Sequence, residues 1–348
     1  MLAEARRVAA DIGELLGVAV DANTILTGRA ALLKLPLPGR ISAGGATRLL
    51  ITTDGWCAIA LPRDDDIAAL PAMLEVDAVT DPWGDLSRWA ATRSASAVVD
   101  RARLLDIAAA ELGEASAGEP TVRPDGGAVG PRPAGGLLVA DLSSLWAGPL
   151  CGQLLALAGA VVVKVESLNR PDGTRRGEPA FFDWMNGGKL SYAVDFDSGA
   201  VRRLLSVADI VIESSRPAAL RRRRLDADSV PGRPGRIWLR INGYCDQPDR
   251  SAFGDDAAVA GGLVGDGPVF FGDAIADPLS GLDAARAVGE SLRRGGGEVI
   301  DVSMAQVAAR YAAFPREPAT AAPPPVSSPA PPLGADNDAV NRLVAQRC

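Results

Sequence analysis

Histidine is absent from this chain of 348 residues. Without an imidazole, the chain cannot form a Ser-His-Asp triad, a His-ligated metal site or a histidine general base. Lysine is scarce as well. The chain has 36 basic residues, of which only Lys34, Lys164 and Lys189 are lysines and all the others are arginines. The missing histidine alone excludes a large share of common catalytic mechanisms.

Long apolar runs and closely spaced cysteines are also missing. No run approaches 18 uncharged apolar residues, so we expect no membrane span. Cys57, Cys151, Cys245 and Cys348 lie too far apart for a redox CxxC or a metal knuckle, which predicts reduced thiols. The net charge of −7 disfavours nucleic acid and anionic membranes as partners. The first residues predict an amphipathic helix and not a signal peptide, so we expect a cytoplasmic protein. The missing histidines and the scattered cysteines predict that no metal is bound.

Glycine and proline, by contrast, are plentiful and concentrated in two stretches, 115–136 and 315–334. The first has almost no large apolar residue and predicts an exposed linker. The second ends in a helical pattern that we expect to dock back onto the body. The predicted organisation is a small α+β domain (1–114), a linker (115–136), a large domain (137–314) and a Pro-rich tail with a short C-terminal helix (315–348).

The large domain alternates apolar β-branched runs with helical patterns. This rhythm is typical of a parallel sheet that is covered on both faces. We predict a doubly wound, Rossmann-like α/β domain with about six mostly parallel strands, which would bind its ligand at the carboxyl ends of the strands. The predicted strands are 136–142, 160–166, 190–196, 209–213, 236–242 and 298–303, and the predicted helices include 147–158, 199–208 and 278–293.

The small domain is predicted from three patterns. Residues 2–17 and 94–112 predict helices, and 48–61 predicts a β-hairpin that turns at Thr53-Asp54-Gly55. None of these segments contains an evident catalytic constellation.

Arginines follow several predicted strand ends. Arg170, Arg175 and Arg176 occupy one loop, and seven arginines against two acidic residues fall between positions 200 and 224. Guanidinium groups match phosphate oxygens, which predicts a polyanionic ligand. A solvated arginine-rich helix face is the alternative. No G-x-G-x-x-G follows the first strand, which disfavours NAD and FAD.

Asp277 has two interpretations. It precedes Pro278, so it is suited to cap the N-terminus of helix 278–293. It could instead act as a nucleophile toward an activated acyl group. The residues alone leave both open.

Several motifs in order over residues 137–304 resemble the family III CoA-transferases. This group includes formyl-CoA transferase, carnitine CoA-transferase and the α-methylacyl-CoA racemases. The motifs are VADLSSLWAGPLCGQLLALAGAVVVKVES, NGGKLSYAVDF, ADIVIESSRPAAL, INGY, GDAIADPLSGLDAA and EVIDVSM. The tail LGADNDAVNRLV is similar to the closing helix of the family.

The resemblance implies roles for individual residues. The D-x-x-x-G aspartate of the family falls on Asp277. Ser167 stands where some members have arginine, and Arg170 is expected to take over that contact. The positions implied to contact CoA are Trp146, Ala147, Ser167, Arg170, Val194, Asp195, Phe196, Asp197, Ser214, Ser215, Arg216 and Arg222.

The order of the domains departs from the family. ISAGGATRLLITTDGWCAIAL resembles the start of the small domain, which normally follows the catalytic segment. Its Gly44 and Gly45 match a glycine loop that covers the catalytic carboxylate. The chain is therefore interpreted as a permuted member with its small domain first, and 261–271 looks shortened.

The implied function is acyl-CoA:carboxylate CoA transfer. Asp277 would form mixed-anhydride and aspartyl-CoA thioester intermediates, with Gly44 and Gly45 stabilising oxyanions. The expected partners are acyl-CoA, a carboxylic acid acceptor and a second copy of the chain, and the resemblance implies that the two copies interlock. CoA would be a substrate, and no permanently bound cofactor is expected. The alternatives are an acyl-CoA racemase or epimerase, disfavoured by the absent histidine, and an inactive CoA-binding subunit.

Overall fold

A computed structural model describes residues 1–317, 319–325 and 328–347, so Cys348 lies outside the described residues. The helices are α1 (Leu2–Leu16), α2 (Ala22–Leu33), α3 (Asp64–Ala68), α4 (Leu70–Leu74), α5 (Pro82–Ala90), α6 (Ala95–Leu104), α7 (Ala147–Leu157), α8 (Pro179–Asn186), α9 (Ala200–Val207), α10 (Pro217–Arg222), α11 (Gly254–Ala260), α12 (Ala276–Arg294), α13 (Met304–Ala312) and α14 (Asn337–Arg347). The strands are β1 (Thr47–Ile51), β2 (Trp56–Ala60), β3 (Ala108–Glu111), β4 (Thr121–Pro124), β5 (Leu138–Asp141), β6 (Val161–Ser167), β7 (Leu190–Val194), β8 (Ile210–Glu213), β9 (Ile237–Asn242), β10 (Val264–Gly265), β11 (Val269–Phe270) and β12 (Glu298–Ser303).

A seven-stranded sheet forms the centre of the molecule, in the order β4-β12-β9-β8-β5-β6-β7. Six of its strands run parallel, and β4 pairs antiparallel with β12. The predicted α/β fold class and all six predicted strands are confirmed. The seventh strand, β4, comes from the stretch predicted as a linker. The chain builds outward from β5 to β7, then returns to place β8 on the other side of β5, so the switch point lies between β5 and β8.

Both faces of this sheet are buried, as its near-continuous apolar strands predict. Alternate residues of β5 illustrate the packing, because Val139 faces one apolar cluster and Leu138 with Ala140 faces the other. The first cluster contains residues of α1, α7 and α12, and the second contains residues of α9 and α14. The central sheet is therefore covered by helices on both sides.

The small sheet has the order β1-β2-β3 and is antiparallel. Its predicted hairpin is confirmed: Ile51 pairs with Trp56 across the turn. The helix predicted over 94–112 is wrong in its second half. Helix α6 ends at Leu104, Asp106 adopts φ 62°, and the next residues form β3 against β2. Burial of that alanine-rich strand in the sheet overrides the helix propensity of alanine.

Helices α1 and α2 pack with the large sheet, although the sequence analysis grouped them with the small domain. Residues of both helices belong to the same apolar cluster as α12. Gly289 allows the close contact between α1 and α12, since a Cβ there would lie 2.8 Å from Leu15 Cβ. The first 33 residues therefore pack with the large sheet, and the chain forms the small sheet only after them.

The tail runs back across the body and ends in α14. Asp336 and Asn337 act on the free edge of β7: Ser191 N–H donates to Asp336 at 2.8 Å, and Ala193 N–H donates to Asn337 Oδ1 at 2.9 Å. The Asn337 amide donates back to the Ala193 carbonyl at 2.9 Å. Two side chains thus satisfy backbone groups that a neighbouring strand would otherwise pair, which protects the edge of the sheet.

No helix among the described residues has the length and apolar character that crossing a bilayer needs. The same residues include no cluster of three or more side chains arranged to ligate a metal ion.

Candidate active site

The loops that follow β5 and β8 meet at the switch point of the sheet. Ser144 N–H donates to Ser214 Oγ at 3.3 Å, which joins the two loops. The first loop then enters α7 through Trp146, whose side chain is buried. Leu145, just before it, adopts φ 72°, a left-handed conformation that costs energy for a residue with a side chain. The loop is therefore held in a defined, strained shape.

A buried ion pair holds this loop. Lys164 lies 2.7 Å from Asp172 and also donates to the Ser143 carbonyl, while Leu145 N–H donates to Asp172 at 3.1 Å. Desolvation opposes the charge on Lys164, but the facing Asp172 carboxylate raises its pKa above the ordinary value. The ion pair thus fixes the backbone that leads to Trp146.

Asp277 lies in the first turn of α12, which begins at Ala276 after an N-cap at Ile275. The structural interpretation of Asp277 as the N-cap of helix 278–293 is therefore wrong. The helix starts earlier because Asp277 N–H donates to the Ala274 carbonyl at 2.9 Å. Asp277 is partly exposed as a residue, and with the capping role excluded its carboxylate is available for other contacts.

Two glycines let the chain approach this carboxylate closely. A Cβ on Gly254, the first residue of α11, would lie 2.3 Å from Asp277 Oδ2. A Cβ on Gly281, one turn after Asp277, would lie 2.8 Å from the Ala147 carbonyl oxygen. The close crossing of α7 and α12 brings the Ala147 N–H near enough to the Asp277 carboxylate to lower its pKa. This explains in physical terms why the aspartate is followed by glycine at the fourth position.

The surroundings raise the pKa of Asp277 to about 7. Burial is the largest cause, and the negative charges of Asp255 and Asp273 add to it, whereas Arg29 and the Ala147 N–H lower it. The carboxylate is consequently ionised in about half of the molecules near neutral pH, and it is poorly stabilised when charged. Such a carboxylate is more reactive than a solvated one.

Asp255 connects this carboxylate to the small sheet. Its side chain accepts hydrogen bonds from the Ser42 hydroxyl, from Thr47 Oγ1 at 3.2 Å and from Ala274 N–H at 3.0 Å. Burial and the neighbouring Asp273 raise the pKa of Asp255 to about 6. Residues of the small sheet are therefore tied to the segment that leads into Asp277.

Gly44 and Gly45 lie in an exposed turn between Ser42 and Thr47, the two residues that hold Asp255. Gly45 adopts φ 79°, and its N–H donates to the Ser42 carbonyl at 2.8 Å. Gly45 thus closes the turn, which a residue with a side chain would do at a cost. The Gly44 N–H donates to no backbone acceptor within the described residues.

Arg29, which the sequence analysis did not single out, reaches the site from α2. Its Nη1 lies 2.6 Å from Asp273 Oδ1, and its guanidinium carbon lies 5.7 Å from the Trp146 ring centre and 5.2 Å from that of Phe181. Arg29 and Asp273 are 244 positions apart. No local pattern marks an arginine in a short, mostly apolar helix as a site residue, and Asp255 and Asp273 carry no local signal either.

The residues implied to contact CoA lie along the carboxyl edge of the sheet, after parallel neighbours β5, β6, β7 and β8. Ser167 is bridged to Arg170, whose side chain is exposed. Ser215 is partly exposed and follows Ser214, which is already described. Beyond β7, Val194 and Phe196 are partly buried, while Asp195 and Asp197 are exposed.

The arginines at this edge divide into two groups. Arg216 pairs with Asp106 of the small domain, and Arg223 lies 3.0 Å from Asp197. Arg170 and Arg222 are exposed and form no ion pair with the described residues. Part of the arginine excess is therefore used within the protein, and the rest is open to a ligand.

A cleft of about 610 Å³ lies beside this edge, between α6 and the loop that follows β9. It is bordered by Asp106, the partner of Arg216, and so it adjoins the predicted CoA-contacting residues. Its lining also includes Arg103, Leu104, Ile107, Gln247, Pro248, Asp249, Arg250 and Ser251.

Residues 135–337 match the model of CoA-transferase family III. The chain belongs to this family. The match spans β5 through the start of α14 and therefore includes Asp277 and the strand ends just described. The small sheet lies outside the matched residues.

Curated relatives from the family carry names of CoA-transferases. The chain is 30% identical over 199 residues to a succinyl-CoA–D-citramalate CoA-transferase of Chloroflexus aurantiacus, which covers 50% of each chain. It is 31% identical over 206 residues to a succinate–glutarate CoA-transferase of Agrobacterium fabrum, covering 50% of this chain and 52% of the relative. The chain thus spans about half the length of the curated relatives it matches.

Solved family structures are similar over a comparable extent. A CaiB/BaiF family protein of Brucella suis has 28% identity and a TM-score of 0.47, covering 53% of this chain and 56% of that chain. A hypothetical protein of Mycobacterium tuberculosis has 28% identity and a TM-score of 0.46, covering 52% and 57%.

Proposed function

We propose that the protein transfers CoA from an acyl-CoA to a carboxylic acid, with Asp277 as the nucleophile. The observation that carries this proposal is the environment of Asp277: a partly exposed residue whose carboxyl has its pKa raised to about 7, mainly by burial, beside the carboxyl edge of a Rossmann-like sheet. Family membership supports the reaction class, and the names of the relatives suggest short dicarboxylates as acyl groups or acceptors.

The reaction would proceed through covalent intermediates on Asp277. The Asp277 carboxylate attacks the thioester carbonyl and expels CoA thiolate, forming a mixed anhydride. The thiolate then attacks the Asp277 carbonyl carbon, which releases the donor carboxylate and leaves an aspartyl-CoA thioester. The acceptor carboxylate attacks that thioester, which expels CoA thiolate and forms a second anhydride. The thiolate then attacks the carbonyl carbon that came from the acceptor. The new acyl-CoA leaves, and the Asp277 carboxylate is regenerated.

Each addition creates an oxyanion that needs a donor. We assign the free Gly44 N–H to this role, while Gly45 shapes the turn through its left-handed backbone. This refines the expectation that both glycines act alike. Ser42, Thr47 and Asp255 would hold the turn near the reacting carboxylate.

Binding energy far from the reacting carbon would come from the phosphates of CoA. Arg170 and Arg222 are the exposed cations we assign to them, because each is free of ion pairs with the described residues. Ser167, the segment 194–197 and Ser214 to Arg216 would line the same path. CoA is thus a substrate, and no permanently bound cofactor is proposed.

A chemical trap tests the proposal. The protein is incubated with succinyl-CoA and hydroxylamine, and Asp277 is examined by mass spectrometry for the hydroxamate. We expect the adduct in the wild type and none in Asp277→Asn, together with exchange of CoA onto glutarate or another short acid. Absence of both adduct and exchange across a panel of acyl-CoAs and acids would contradict the proposal and favour an inactive CoA-binding subunit.

The second candidate is an acyl-CoA racemase or epimerase. One observation favours it: Asp255 is close enough for its charge to raise the pKa of Asp277, so two carboxylates are available where the usual histidine is missing. This reaction predicts uptake of deuterium from D₂O at the α-carbon of a 2-methylacyl-CoA. CoA transfer predicts none.

We also propose that the protein is a cytoplasmic homodimer, as the family resemblance implies. Interlocking of the two chains would depend on which connection threads the partner in the permuted order. Sedimentation at micromolar concentration tests the dimer, and a stable monomer would count against it.

A further inference from the structure

We propose that Arg29 forms a carboxylate-binding subsite for the acceptor acid beside Asp277. The subsite rests on the proposed CoA transfer, because it assigns a residue to the second substrate of that reaction. Its ligand class is a short carboxylic acid.

Two aromatic rings and one carboxylate hold the Arg29 guanidinium. The Trp146 and Phe181 rings meet edge to face at 5.4 Å, and Arg29 lies against both. Asp273, whose side chain is 3% exposed, receives Nη1 at 2.6 Å. A guanidinium placed in this way loses little further conformational freedom when it binds a ligand.

Most of the hydrogen-bonding capacity of Arg29 remains free. A guanidinium carries five N–H donors. Only the bond from Nη1 to Asp273 is formed within the described residues, and 24% of the side chain is exposed. Asp273 therefore orients the guanidinium group and leaves most of its N–H donors unoccupied. The accessible donors match the two oxygens of a carboxylate.

The charges around Asp277 give this cation a purpose. Asp255, Asp273 and Asp277 place three carboxylates together, and their combined field repels an incoming anionic acid. The positive charge of Arg29 opposes this field and lowers the pKa of Asp277. When Asp277 is esterified as the CoA thioester it is neutral, and Arg29 then faces one negative charge fewer. The acceptor carboxylate should therefore bind most tightly at that stage and more weakly to the free enzyme.

Half-reactions separate this role from a structural one. At alkaline pH, where Asp277 is ionised even without the Arg29 charge that lowers its pKa, we expect Arg29→Gln to form the Asp277 hydroxamate from succinyl-CoA within about threefold of the wild-type rate. The KM for glutarate should rise about 10- to 100-fold, the usual effect of losing a charge-assisted hydrogen bond. Arg93→Gln, in which an arginine stacks at 4.3 Å on Trp89 of the small domain, is the matched control and should leave both steps unchanged.

Protection of the wild type provides a test that needs no variant. Phenylglyoxal modifies accessible arginines, and mass spectrometry reports each site. We expect glutarate to protect Arg29 at least fivefold and to leave Arg93 reactive. Free guanidinium should also restore glutarate turnover to Arg29→Ala, which a purely structural arginine would not predict.

The outcomes distinguish the subsite from the proposed function. If the wild type neither forms the adduct nor exchanges CoA, the proposed function fails, and calorimetric binding of glutarate to the wild type and Arg29→Gln decides the subsite alone. Each of three results would overturn the subsite. These are an unchanged KM for glutarate in Arg29→Gln, an equal loss of adduct formation and CoA exchange in folded Arg29→Gln, and no protection of Arg29 from phenylglyoxal by glutarate.

Discussion

Gly281→Ala should raise the pKa of Asp277 by adding one methyl group. The new Cβ would lie 2.7 Å from Leu150 Cδ2 and 2.8 Å from the Ala147 carbonyl oxygen, so α7 must move away from α12. That movement draws the Ala147 N–H from the Asp277 carboxylate. The Ala147 N–H is the weakest of the named influences on this pKa, so the expected rise is at most about one unit, the low end of the range of about 1.5 to 3 kcal/mol for a hydrogen bond to a charged group.

The expected kinetic effect follows from the ionised fraction of Asp277. Its pKa is about 7 in the wild type, so raising it by up to about one unit should slow hydroxamate formation by up to about fivefold at pH 7. The rate should recover as the pH rises. Overpacking costs about 1 to 3 kcal/mol, but replacing a helical glycine with alanine returns about 1 kcal/mol, so the loss of stability should be small.

Gly289→Ala is the matched control in the same helix. Its new Cβ would lie 2.8 Å from Leu15 Cβ, which gives a similar clash against α1 and leaves the Asp277 contacts in place. We expect comparable losses in the free energy of unfolding but a shifted pH profile in Gly281→Ala alone. The reasoning is refuted if the two variants have the same pH profile.

Three further predictions concern charge and the sheet edge. Asp255→Asn removes a negative charge that raises the pKa of Asp277, so the acid limb of the hydroxamate pH profile should move to lower pH. Asp256→Asn is the control and should leave that limb in place, because the Asp256 carboxyl has a pKa of about 8 and is protonated at pH 7. Asp277→Asn should be more stable than the wild type above pH 7 by a few kcal/mol and equally stable near pH 4, because a carboxyl whose folded pKa is raised loses stability as the pH climbs through that window; equal denaturant midpoints at pH 8 would contradict this. The double change Asp336→Ala with Asn337→Ala removes the acceptors of two backbone N–H groups of β7, which should cost about 1 to 3 kcal/mol and promote aggregation measurable by light scattering.

The large sheet was predictable because its signal is local. Runs such as 160–166 bury β-branched residues on both faces, and the helical patterns between them have their own period. The strand β4 was missed because its four residues are exposed and include a proline, so no apolar alternation marks it. Its pairing with β12 is decided by the edge of a sheet that already exists.

The candidate site was predictable only where a motif is contiguous. Asp277 and the strand-end residues fall within matched segments, whereas Arg29 meets Asp273 across 244 positions. Long-range charge pairs of this kind depend on the assembled topology and on no local period. Lys164 meets Asp172 only eight positions away, but nothing in the sequence pattern identifies that carboxylate as its buried partner.

The positions of these contacts in one chain bear on the permuted domain order, which stays a prediction from the family resemblance. The Asp277 surroundings draw on α2 through Arg29, on the small sheet through Thr47, and on α11 through Asp255. All three come from the same chain, and two of them precede the large sheet in sequence. A chain that places its small sheet first must return across the body to reach β5, and the stretch 115–136 makes that connection while adding β4 to the sheet edge. Moving the small sheet along the sequence is therefore compatible with an intact site, because the contacts that hold Asp277 depend on where the elements pack and not on the order in which the chain visits them.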